Sequence, residues 1–78
     1  MHTTLPTMRT YYIEVITPFA TFRSDLAEAA DPDSALQRIA TFDPQRSSIT
    51  FTSNEGAYVV IHGTVLEQSV VVVREDRS

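Results

Sequence analysis

Few side chains in this 78-residue sequence are suited to covalent or acid–base chemistry. It contains no cysteine or lysine and only two histidines, His2 and His62. No Gly-x-Ser-x-Gly elbow surrounds any serine, so nothing marks an activated hydroxyl nucleophile. His62 lies in a strand-like stretch, where we expect a half-buried ring with a satisfied nitrogen, whereas His2 lies in the N-terminal tail. The inventory predicts a protein that is not an enzyme.

Two carboxylates, Asp31 and Asp33, are spaced closely enough to suggest a cation site. The glycine and the terminal glutamate of a calcium loop are missing, however, and a helix start accounts for both acids. The chain has two glycines, Gly56 and Gly63, which are too few for a glycine-rich phosphate loop. We therefore expect no metal ion and no cofactor.

The net charge of -4 is concentrated in one part of the chain. Residues 25–43 contain five acids and one basic residue, Arg38. The acids are Asp25, Glu28, Asp31, Asp33 and Asp43. Such a patch repels nucleic acid and attracts basic protein surfaces, including those that bind phosphates. The alternative is a solvated helix start, where carboxylates are favoured. Basic and aromatic residues do not interleave as in single-strand binders, so we expect no direct nucleic-acid binding.

Length and composition indicate one small domain. A chain of this size buries only about 60% of its unfolded surface, so the core is thin. The absence of cysteine favours a reducing cytoplasm, and no apolar run approaches the roughly 20 residues of a membrane span. We expect a soluble cytoplasmic protein with a flexible tail over residues 1–8, one α+β domain over residues 9–75 and a C-terminal tail over residues 76–78.

The N-terminal half predicts a strand hairpin followed by a helix. From Arg9 the residues alternate, which is typical of a strand. Residues 24–30 allow two interpretations, a short helix from Ser24 or Asp25, or a second strand from Thr21 to Glu28 with Phe22 and Leu26 inward. The second is favoured because a residue before proline avoids the helical region. The next helix has Asp31 as N-cap and Pro32 at its first position, and ends before Asp43 after about eleven residues.

The C-terminal half predicts three strands. "SSITFTS" alternates, the turn Asn54-Glu55-Gly56 suits a hairpin, and "AYVVIHGTVLE" reads as one long strand with Gly63 at a bulge. "VVVVRE" is the last strand. The order β-β-α-β-β-β predicts a small antiparallel sheet with one helix packed on one face.

The valine-rich strands predict an exposed apolar face, because a helix of eleven residues spans only about 16 Å. We expect a core set of Tyr58, Val60, Val70 and Val72, and an exposed set of Val59, Ile61, Val71 and Val73. Exposed apolar area of this kind usually marks a partner surface. The candidate anchors or dimer face are Tyr11, Tyr12, Tyr58, Val71 and Val73. The alternative is a sheet that curls to bury both faces, or one that the N-terminal arm covers.

The stretch "AEAADPDSALQRIA" follows a hairpin in a small, acidic, cysteine-free α+β chain. In this motif over residues 28–40, and in layout and size over residues 10–75, the chain resembles phage and mobile-element anti-CRISPR proteins, especially inhibitors of type I effector complexes. The resemblance implies a DNA mimic in the host cytoplasm that binds a basic groove of an effector subunit through the five acids and blocks target binding. The alternatives are a homodimeric structural or regulatory domain of a mobile element and an antitoxin-like partner.

Overall fold

The computed structural model describes residues 7–77, which form two antiparallel sheets and two helices. The strands are Arg9–Ile16 (β1), Thr21–Arg23 (β2), Ala27–Ala29 (β3), Ala40–Asp43 (β4), Ser48–Thr52 (β5), Tyr58–His62 (β6) and Val70–Glu75 (β7), and the helices are Pro32–Ile39 (α1) and Gly63–Glu67 (α2). The predicted antiparallel α+β class is confirmed. Most of the predicted N-terminal tail, residues 1–6, and Ser78 lie outside the described residues.

The first sheet is built around β1. One edge of β1 pairs with β7 from Tyr11 to Ile16. The other edge pairs with β3 near Arg9 and with β2 near Ile16. Alternation along β1 points Tyr11, Ile13 and Val15 inward, where all three are buried. The amide of Asp76, in the predicted C-terminal tail, still donates to the Thr10 carbonyl at 2.8 Å.

The hairpin interpretation of residues 24–30 is confirmed, but the returning strand is interrupted between β2 and β3. At the interruption the amide of Asp25 donates to the carbonyl of Thr52 in β5 at 3.0 Å, so the chain turns away from β1 there. This break changes the alternation of side chains. Leu26 is therefore 53% exposed, and the prediction that it points inward is wrong.

The second sheet has the order β4-β5-β6. It is joined to the first sheet by a β-bridge between Ser24 and Ser53, and the amide of Asn54 donates to the carbonyl of Arg23 at 2.9 Å. The predicted alternation of β5 is confirmed, with Ile49 and Phe51 buried. The predicted hairpin turn is also present, with Gly56 at φ +84°.

The core lies between the two sheets, where Ile13 and Val15 pack with Ile49, Phe51 and Ile61. The second sheet and helix α1 thus cover the inner face of the first sheet together, since Ala35 of α1 packs with Tyr11. A single hydrophobic layer shared by two half-exposed sheets is a common way for antiparallel strands to bury one face each.

The predicted assignment of the valine faces is wrong. In β7, Val71 lies opposite Val15 and Val73 opposite Ile13, so both valines share the inner face and pack against the core. They are not an exposed dimer face. The outward residues are the predicted core set, with Tyr58, Val60 and Val70 at 72%, 50% and 57% exposure. The error came from assuming one sheet, because strand periodicity separates two faces without saying which is covered.

Helix α1 starts as predicted and ends earlier than predicted. The side chain of Asp31 accepts a hydrogen bond from the Ser34 amide at 2.8 Å, Pro32 follows, and Ala35 is fully buried against the first sheet. The helix stops at Ile39 because residues 40–43 pair with β5.

The predicted long strand through Gly63 is also wrong. Strand β6 ends at His62, and Gly63, at φ +64°, is the first residue of the five-residue helix α2. This positive φ is a conformation that glycine adopts without a steric penalty.

Candidate functional site

Four of the five predicted interface acids lie in the nine-residue stretch 25–33 and are exposed. Glu28 is on β3, Asp25 is at the strand interruption, and Asp31 and Asp33 are at the start of α1. Together they are called the acidic segment below. The exposed side chain of Leu26 lies within the same stretch. The segment therefore combines negative charge with one accessible apolar group.

The acidic segment has no ionic partner among residues 7–77. The described ion pairs lie elsewhere: Arg9 with Glu75 at 3.2 Å, Arg77 with Glu75 at 2.9 Å, Arg46 with Asp43 at 3.8 Å, and Arg74 with Glu14. Arg38 borders a shallow concavity together with Asp25 without forming an ion pair. No ion pair among the described residues thus neutralises a carboxylate of this segment.

Asp31 is held in its charged form by the helix that it caps. The backbone N–H of Ser34 donates to its carboxylate and lowers the pKa of Asp31 below its ordinary value; the Ser34 side chain acts in the same direction. The carboxylate is exposed, so the lowering of its pKa comes from its hydrogen bonds to neighbouring residues of the helix start. Asp31 therefore has a structural role in addition to any role in binding.

Asp43 lies apart from the other four acids. It ends β4, and its Oδ1 accepts hydrogen bonds from the amides of Gln45 at 3.0 Å and Arg46 at 3.3 Å. The Arg46 guanidinium lies 3.8 Å from its other oxygen. Because Asp43 caps its own turn and has a cationic neighbour, the structure does not bring it into the acidic segment.

The predicted tyrosine anchors differ in accessibility. Tyr11 is only 4% exposed and belongs to the core, so it is not available to a partner. Tyr12 lies on the outer face of the first sheet, with the Arg23 guanidinium 3.9 Å from its ring centroid. Tyr58 is the one of the three whose ring is largely exposed. The sequence alternation in β1 identifies Tyr11 as inward once Ile13 is taken as core.

His62 is placed differently from its prediction. It is exposed on the outer face of β6, and its ring forms no hydrogen bond to any described residue. Ser48 of β5 lies directly opposite His62 on one side and opposite Asp43 of β4 on the other. These three residues, the polar row, cross the outer face of the second sheet.

The polar row forms one part of a concavity of about 560 Å³. Its lining residues are Thr41, Asp43, Arg46, Ser48, Thr50, Tyr58, Val60 and His62. Sequence reasoning missed this site. The alternation of "SSITFTS" places Ser48 on the outer face, but its neighbours on β4 and β6 follow from the pairing register, which the sequence does not show.

Residues 7–77 contain no cluster of three or more histidine, aspartate or glutamate side chains arranged to hold a metal ion. In the same range, neither helix is long and apolar enough to cross a membrane.

Comparison of this chain with protein-family models, with curated proteins and with solved structures finds no significant match.

Proposed function

We propose that this chain is a non-enzymatic protein-binding module that inhibits a type I CRISPR effector complex in the host cytoplasm. The single observation that carries the proposal is the exposed acidic segment, which has no ionic partner among the described residues. In this account the segment occupies a basic groove that otherwise holds target DNA, and so blocks target binding as a DNA mimic.

Electrostatic complementarity supports this assignment. A groove that binds DNA is lined by arginine and lysine side chains, and carboxylates attract them as phosphates do. Charge of this kind accelerates encounter and selects the partner, whereas buried apolar anchors supply much of the affinity. Leu26, exposed between Asp25 and Glu28, provides such an anchor. The segment therefore offers both components of a protein interface in one short stretch.

The experiment is a binding measurement between this protein and a purified type I effector complex, using a charge-reversed pair. Glu28→Arg with Asp33→Arg changes two acids of the segment and leaves the Asp31 cap intact. The matched control is Glu55→Arg with Glu67→Arg, which makes the same charge change at two exposed acids outside the segment. We expect affinity to fall at least tenfold, about 1.4 kcal/mol, in the first variant and to remain nearly unchanged in the control.

Equal affinity of the two variants would remove the acidic segment from the interface. Folding of both variants is checked by circular dichroism, so that a loss of binding is not confused with a loss of structure.

A second candidate function is a homodimeric structural or regulatory domain, including an antitoxin-like component. Two observations favour it, and the first is that Ile16 and Val70 are cross-strand neighbours that are both exposed on the outer face of the first sheet. In addition, β7 pairs with β1 as its one strand neighbour within residues 7–77. Two copies that join along the free edge of β7 would continue the sheet.

Light scattering tests the dimer. Val70→Lys places a charge beside the free edge and is expected to convert a dimer into a monomer, whereas Val60→Lys on the second sheet is the control. A wild-type protein that remains monomeric at high concentration excludes this candidate.

A further inference from the structure

We propose that the outer face of the second sheet binds a neutral carbohydrate of one or two sugar rings, with the polar row Asp43, Ser48 and His62 holding its hydroxyl groups. The site lies away from the acidic segment and the inference does not rest on the function proposed above.

The first step is the geometry of the polar row. The amide of Gly63 donates to the carbonyl of Ser47 at 3.1 Å, so residues 47 and 63 form a hydrogen-bonded pair. The neighbouring pair, Ser48 and His62, is then of the non-hydrogen-bonded kind, in which opposite side chains approach more closely. Opposite Cβ atoms in such sheets are about 4.5–5.5 Å apart. Hydroxyl, imidazole and carboxylate groups thus lie side by side in one row across three strands.

The second step is the hydroxyl of Ser48, which has no hydrogen-bond partner among the described residues. Ser48 is 7% exposed, and its side chain makes no hydrogen bond to any described residue. The other two buried serines differ, because Ser24 bonds to the Ile13 amide and Ser53 bonds to the Ala57 amide. No side-chain nitrogen or oxygen of the described residues is both buried and unbonded, so the Ser48 hydroxyl keeps access to the concavity that Ser48 lines. It is therefore free to donate a hydrogen bond to a ligand there and to accept one.

The third step is charge. The concavity contains one carboxylate, on Asp43, and one guanidinium, on Arg46, which lie 3.8 Å apart and balance each other. A ligand with net charge gains little from such a lining. A neutral ligand that both donates and accepts hydrogen bonds can use the carboxylate, the guanidinium and the hydroxyls of Ser48 and Thr50 together.

The fourth step is the apolar side of the concavity. Tyr58 and Val60, which line it on β6, are 72% and 50% exposed. They form an apolar strip beside the polar row. A pyranose has hydroxyls around its rim and C–H groups on its faces, so it matches a polar row next to an aromatic ring. A volume of about 560 Å³ lies within the range of small-ligand sites, roughly 300–1,000 Å³.

The test is a titration of the isotope-labelled protein, followed by amide chemical shifts, with four probes: methyl β-galactoside, methyl β-glucoside, lactose and cellobiose. We expect saturable shifts for at least one probe at Ser48, Thr50 and His62, with a Kd of about 1 mM or tighter. Ser48→Ala should weaken the affinity about tenfold, and Tyr58→Ala should weaken it by a similar factor.

The matched control is Thr21→Ala, which removes an exposed hydroxyl from the first sheet and should leave the affinity unchanged. The proposal is overturned if none of the four probes gives saturable shifts on this face. It is also overturned if the uncharged peptide Ser-Gly-Asn gives saturable shifts there and the sugars do not, because the face would then be a peptide site. The folded state of each variant is read from the same spectra.

Discussion

Ser24 and Ile13 satisfy each other's hydrogen-bonding groups at the point where the returning strand is interrupted. The amide of Ser24 donates to the Ile13 carbonyl at 2.9 Å, and the amide of Ile13 donates to the Ser24 hydroxyl at 2.8 Å. The hydroxyl in turn donates to the Asp25 carbonyl at 2.8 Å. Because no buried donor is lost here, the chain can leave β1 and bond to Thr52 of the second sheet. The acidic segment begins at this junction.

Removing the Ser24 hydroxyl should be costly. Ser24→Ala leaves the buried amide of Ile13 without its partner, so we expect the free energy of unfolding to fall by about 1–3 kcal/mol. Ser48→Ala is the matched control, since Ser48 is also buried but its hydroxyl is unbonded. It should change stability by about 0.5 kcal/mol or less. Urea denaturation of both variants checks this, and equal losses would contradict the assigned role of Ser24.

Truncation of two neighbouring residues of β6 should lower the free energy of unfolding by very different amounts. Ile61 is 5% exposed between the sheets, so Ile61→Ala should cost about 2–5 kcal/mol through lost burial and a residual cavity. Val60 points outward, and Val60→Ala should cost well under about 1 kcal/mol. Chemical denaturation provides both values. A larger loss for Val60 would mean that the two faces of this strand are assigned the wrong way round.

The Asp31 cap should make stability dependent on pH. The folded-state pKa of Asp31 lies below its unfolded value, so the unfolded chain takes up the proton first as pH falls. This contribution is complete above the unfolded pKa and is lost as pH decreases from about 4 through the folded pKa.

Asp31→Asn is the control for this pH effect, because it retains a capping oxygen and cannot titrate. Thermal unfolding is followed at about pH 7 and about pH 3, and Tm should fall more in the wild type than in Asp31→Asn. An equal fall in both proteins would show that other carboxylates account for the whole effect.

The sequence correctly predicted the strands and the helix start that are determined by residues close together in the chain. The alternation of β1 and β5 and the Asp31-Pro32 helix start each depend on neighbouring residues, and each is present in the structure. The ambiguous residues 24–30 were also resolved correctly, since Asp31 precedes proline. Gly63 was misassigned because an isolated glycine fits both a bulged strand and a helix start.

The separation into two sheets was not predictable from periodicity. Alternation assigns Val70 and Val71 to opposite faces, but only the pairing of Val71 with Val15 shows which face is inward. The polar row was missed for the same reason, since the approach of Asp43 and His62 to Ser48 depends on register across three strands. By contrast, four acids of the candidate interface are close in sequence, and their exposure follows from their charge.

The most direct test of the central claim is a competition between this protein and target DNA for a purified type I effector complex, followed by an electrophoretic mobility shift. The account predicts that wild-type protein and the Glu55→Arg, Glu67→Arg control displace or exclude the DNA equally, that Glu28→Arg with Asp33→Arg requires at least about tenfold more protein, and that added salt weakens the wild-type effect. Undiminished DNA binding at saturating wild-type protein, or equal competition by both charge-reversed variants, would contradict it.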